Sequence, residues 1–123
     1  MGLDSFALVT TEQNWNNNDC SPFDSKKAAE FFYWRKHHDL DDWMREEWFQ
    51  TLDEASEEQF NCIPFKLTKE LLMNLRQDCE IGKLYTHCDA YDIQEYQEKD
   101  FKFIEQAYRF LEEGLVVYYY CWW

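Results

Sequence analysis

The sequence predicts a single α+β domain, a small antiparallel sheet that includes both the N- and C-terminal strands and is covered by about three helices. Three observations predict it. Residues 3–10 alternate with apolar groups on both faces, residues 115–123 are dense in β-branched and aromatic types, and three intervening segments repeat apolar residues at helical spacing. A chain of 123 residues is of ordinary domain size and can bury a real core, so one domain over 1–123 is expected.

In the first segment Leu3, Ser5, Ala7 and Val9 alternate with Asp4, Phe6, Leu8 and Thr10, the mark of a strand near the sheet centre. Residues 12–24 hold Asn14, Asn16, Asn17, Asn18 and Pro22 and read as a surface loop. An aromatic and basic run, Phe31-Phe32-Tyr33-Trp34-Arg35-Lys36-His37-His38, leads into helical spacing at Leu40, Trp43, Met44 and Trp48. Asp39 is the expected N-cap of that helix, Asp41 and Asp42 suit the positive end of its dipole, and it ends by Asp53. Residues 60–67 predict a short or edge strand, because Pro64 removes a ladder donor.

Thr68 caps the next helix, whose buried stripe is Leu71, Leu72, Leu75 and Cys79 and whose stop is Gly82. The last helix covers residues 93–113, with Phe101, Ile104, Ala107, Tyr108 and Leu111 on one face and Gly114 beyond its end. Residues 115–123 then form a terminal strand, and pairing it with residues 3–10 removes two exposed edges.

Twelve cations against 25 carboxylates give a net charge of −13, which opposes general binding to DNA or RNA. Such a surface suits solubility, contact with a basic protein, or imitation of nucleic acid. Residues 39–58 concentrate it: Arg45 is their one cation against nine carboxylates. Five cysteines, an odd number without regular spacing, favour reduced thiols in a cytosol, and residues 1–13 show no basic segment followed by an apolar run. No membrane partner is expected, and the location expected is cytoplasmic.

Only Gly2, Gly82 and Gly114 are present, and none opens a phosphate-binding loop. His37-His38 and His87-Cys88 lack the spacing by which two ligands of one turn converge on zinc, so no metal or cofactor is expected. Asp89, Asp92 and Glu95 cluster around Tyr91 and read as caps of the last helix. The sharpest local pattern is Tyr33 to His38 with Trp43: guanidinium and ammonium groups beside indole and phenol rings clamp an anion while stacking a planar ring. The bland alternative is a strand-to-helix junction whose aromatics are core and whose cations are solvated.

These residues also carry a resemblance. Met1-Gly2-Leu3-Asp4, Tyr33-Trp34-Arg35-Lys36 before Trp43, Tyr91-Asp92 ahead of the last helix, and Tyr118-Tyr119-Tyr120-Cys121-Trp122-Trp123 resemble, in order, a family of small bacteriophage proteins. The chain departs from the family's pattern at His38 and Asp42, where Asn and His are usual, and at Tyr85-Thr86-His87-Cys88, which replaces Gly-Phe-Phe-Phe-Gly. The resemblance implies phage origin, which makes the expected cytoplasm that of a host cell, and supports the fold; it brings no activity with it.

Three functional readings follow. The first is a non-enzymatic phage accessory protein, acting in counter-defence, that sequesters a small phosphate-bearing ligand such as a nucleotide. Arg35 and Lys36 would contact phosphate, Tyr33, Trp34 and Trp43 would stack the base, and His38, Tyr91 and Asp92 would add polar contacts. The second is an acidic interaction module or nucleic-acid mimic that blocks a basic host protein through Asp41, Asp42, Glu46 and Glu47. The third is an enzyme with a metal or thiol site. An aromatic content of 20% leaves room for a homo-oligomer under each.

Overall fold

The computed structural model describes residues 3–22, 24–51, 63–86 and 92–122. Its elements run β1 (Asp4–Thr10), α1 (Glu12–Asn16), β2 (Ala29–Arg35), α2 (His38–Phe49), β3 (Phe65–Leu67), α3 (Lys69–Glu80), α4 (Ile93–Glu112) and β4 (Val116–Trp122). The four strands form one sheet in the order β2-β1-β4-β3, antiparallel throughout. The expected α+β architecture is thus observed, with β1 and β4 adjacent at its centre.

Central position explains the apolar character of β4, of whose residues only Trp122 is exposed. One sheet face, with Ala7, Trp34, Val117, Tyr119 and Cys121, packs in the main core with Leu40, Met44, Leu72, Leu75 and Phe103 of α2, α3 and α4. The other carries Leu8, Tyr118 and Tyr120 against Cys20, Ala28 and Trp15. That second cover corrects the expected loop over 12–24. Within it Glu12–Asn16 forms a helix of one turn, capped where Thr11 Oγ1 accepts from the Asn14 amide at 3.1 Å. Trp15 is its one large apolar residue, too little for a periodic signal, and Tyr118 Oη ties the following segment down by donating to the Cys20 carbonyl at 2.6 Å.

The sheet edges are short or irregular. At β3 the edge is three residues long and follows Pro64. At β2 a bulge leaves Phe31 unmatched, since Ala7 faces Phe32 while Leu8 faces Glu30. Phe31 and Phe32 therefore both reach Phe103 of α4, at ring-centroid distances of 6.0 and 5.8 Å.

Both long C-terminal helices stop as expected. Gly82 and Gly114 hold φ of +77° and +82°, where a Cβ is strained, and each helix closes with two Schellman bonds. For α4 these are Gly114 N to Leu111 O at 3.1 Å and Leu115 N to Phe110 O at 3.1 Å. Thr68 caps α3 by accepting from the Leu71 amide at 3.1 Å. Thr68→Ala should cost about 1 kcal/mol, read as a lower urea midpoint at unchanged slope. The N-cap of α2 is His37, not Asp39. Lys36, at φ +57°, turns the chain out of β2, and the helix begins two residues earlier than the acidic run suggests.

Candidate functional site

Strand geometry decides the fate of the aromatic and basic run. Neighbouring side chains of β2 point to opposite faces, so Trp34 and Arg35 cannot converge on one ligand. Trp34 enters the helix-covered core at 3% exposure, its ring 4.7 Å from Phe103 and edge-on. Tyr33 and Arg35 lie on the other face, both exposed, in rows with Phe6 and with Asp4 and Trp122. Tyr33 Oη donates to Asp4 Oδ1 at 2.6 Å. Lys36 and His38 are exposed. Trp43 is buried, its Nε1 donating to Asp78 Oδ2 at 2.8 Å and so joining α2 to α3. Asp92 occupies the N-cap of α4 without a side-chain capping bond, and Tyr91 lies outside the described residues. The structure therefore brings Tyr33 and Arg35 together but encloses the two indoles elsewhere.

What holds Trp34 is a buried carboxylate. Its Nε1 donates to Asp100 Oδ1 at 3.0 Å, while Asp100 Oδ2 accepts from Tyr85 Oη at 2.8 Å and meets His37 Nε2 at 2.9 Å. A carboxylate only accepts, so Nε2 carries the proton that faces it. Asp100 is 0% exposed and its three partners 4% or less, so the cluster has no open approach for a substrate. Burial, then the neighbouring Asp100 charge, pushes the Tyr85 phenol up from its ordinary value. Sequence reasoning missed Asp100, although a signal existed: it precedes Phe103, Ile104 and Ala107 at helical spacing, a charge on the apolar stripe of α4.

Asp41 forms a second buried centre and corrects the predicted interaction face. It sits three residues before Met44 on the inner side of α2, at 6% exposure. Its Oδ1 accepts from Tyr119 Oη at 2.9 Å, and since that hydroxyl has one proton, Ser5 Oγ at 2.8 Å donates to it in turn. Burial raises the Asp41 carboxyl, with the Tyr119 bond acting against that rise. Among the described residues every buried side-chain nitrogen or oxygen is hydrogen-bonded.

Of the other acidic residues of α2, Glu46 is exposed and Asp39, Asp42 and Glu47 are half-buried. Asp39, Asp42 and Glu46, at helical spacing i, i+3 and i+7, line one hollow of about 130 Å³ with Trp43, Lys83 and Leu84. Glu47 is not part of that lining. Arg45 reaches Asp42 at 2.7 Å, an exposed pair of small energetic weight.

The described thiols, Cys20, Cys79 and Cys121, are buried, and none of them forms a disulfide. Burial, only partly offset by a hydrogen bond with Tyr85, pushes the Cys79 thiol up to about 12, away from the thiolate that nucleophilic chemistry needs. Native protein treated with iodoacetamide at about pH 8 should leave Cys79 unmodified in peptide mass mapping, and denatured protein should label it fully. Cys62, His87, Cys88 and Asp89 lie outside the described residues. Among the described residues no group of three or more His, Cys, Asp or Glu is placed to hold a metal, and no helix is long and apolar enough to cross a membrane.

No protein-family model, curated protein or solved structure matches this chain. Functional inference therefore rests on the chain's own surfaces.

Proposed function

We propose that this chain is a non-enzymatic interaction protein that docks a basic surface of a host protein through the outer face of α2. The supporting observation is the convergence of Asp39, Asp42 and Glu46 on one surface hollow, in a chain of net charge −13. Among the described residues Lys83 is the one cation lining that hollow, against three carboxylates. The hollow's carboxylates face arginine and lysine side chains of a partner, which favours fast, salt-sensitive association. The resemblance to phage proteins fits an accessory role in an infected bacterial cytoplasm. A nucleotide site at residues 33–38 has weaker support, because Trp34 and Trp43, which would stack the base, are enclosed.

Affinity capture from bacterial lysate tests the proposal. The wild-type protein should retain a basic partner at about 0.1 M salt and release it at about 1 M, where the screening length falls from roughly 10 to 3 Å. Joint reversal of Asp39, Asp42, Glu46 and Glu47 to lysine should weaken capture about tenfold or more with the fold intact. Capture that is indifferent to both salt and reversal would contradict it.

A further inference from the structure

Between α3 and α4 lies an open groove of about 490 Å³, within the range of roughly 300–1,000 Å³ typical of small-molecule sites. Core residues Leu72 and Ile104 supply its most buried lining, and Met73, 58% exposed, supplies an adaptable apolar wall beside Tyr108. Two guanidinium groups, Arg76 from α3 and Arg109 from α4, share this lining with one carboxylate, Glu105. That balance reverses the chain's own excess of 25 carboxylates over 12 cations.

The cations are positioned and still have donors to offer. Arg76 lies over the Phe101 ring at 5.7 Å and spends only Nε, at 3.3 Å, on the half-exposed Glu80. Arg76 makes no second ion pair among the described residues, and Arg109 has no carboxylate within 4.0 Å there. Lys69 adds a third charge at the same helix pair, 5.3 Å over the Tyr108 ring. Guanidinium forks match planar or tetrahedral oxyanions, and an apolar floor matches a hydrocarbon or aromatic body.

We propose that this groove binds a small amphiphilic oxyanion, its carboxylate or phosphate head held by a guanidinium group of the lining, Arg76 or Arg109, and its apolar body against Leu72, Met73, Ile104 and Tyr108. The site is separate from the α2 face and does not depend on the interaction proposed there.

Methyl-resolved NMR of the intact chain tests it, with dodecanoate and phenyl phosphate as the two anionic probes. Dodecyltrimethylammonium and dodecyl maltoside are the cationic and neutral controls. Saturable shifts of the Leu72, Met73 and Ile104 methyls are expected with an anionic probe. A response to dodecanoate alone assigns a carboxylate amphiphile, and a response to phenyl phosphate alone assigns an aromatic phosphate. Arg76→Gln with Arg109→Gln, both on exposed stems, should weaken that binding about tenfold or more. Met73→Glu, which sets a carboxylate in the groove, should weaken it as well. Absence of shifts with both anions, equal binding of a control, or unchanged affinity in the double variant would overturn the assignment.

Discussion

Asp100→Ala should lower the stability of the fold by about 3–5 kcal/mol, the largest single-residue effect expected in this chain. The carboxylate is fully buried and receives the Trp34 indole, the Tyr85 phenol and His37 Nε2. Removing it leaves three enclosed donors without an acceptor, at about 1–3 kcal/mol for each that water cannot reach. These donors come from the end of β2, the turn before α2 and the turn after α3, so one substitution loosens three elements from α4. Asp100→Asn should cost less, about 1–3 kcal/mol, because Oδ1 still accepts from Trp34 while the new amide protons face the other two donors. Urea unfolding of both variants, with the Trp34 indole proton followed by NMR, checks the ranking. An alanine variant within about 0.5 kcal/mol of wild type would show that the network carries little of the fold's stability.

Alkaline unfolding should be steep. Tyr85, Tyr118 and Tyr119 are each raised above the ordinary tyrosine value of 10.0, chiefly by burial. A group whose folded pKa is raised gives stability that is fully present below its unfolded pKa and is lost as pH climbs beyond it. Three such phenols remove about 1.4 kcal/mol each per pH unit above 10, or roughly 4 kcal/mol per unit together. Cys20 and Cys79, both raised from 9.0, begin the loss one unit earlier. Against a total stability of about 5–15 kcal/mol, unfolding is expected between about pH 11 and 13. Tyrosinate absorbance should then rise in a cooperative step that coincides with loss of the far-ultraviolet circular dichroism. Uniform titration of all eight tyrosines near 10 with the dichroism intact would contradict the burial assigned to these three.

Period and punctuation made most of the fold legible. Leu40, Trp43, Met44 and Trp48 are all buried on the inner side of α2, Thr68 caps α3, and the two late glycines end α3 and α4. The β1–β4 pairing followed from two apolar segments that each needed a partner. The site was legible only in its chemistry. A run of four aromatics does not announce which face each ring takes, and the bulge at Phe31 shifts the alternation within it. Asp41 and Asp100 resembled ordinary solvated carboxylates because their partners, Tyr119, Trp34, His37 and Tyr85, are far away in sequence. Local periodicity carries no information about such pairs.

The first two functional readings of the sequence place binding on opposite charges, and a paired variant separates them. One protein carries Asp42→Lys with Glu46→Lys on the outer face of α2; the other carries Arg35→Glu with Lys36→Glu at the end of β2. Partner capture at about 0.1 M salt should be lost in the first and retained in the second. Retention in the first with loss in the second would contradict the acidic docking face and return function to the cationic junction.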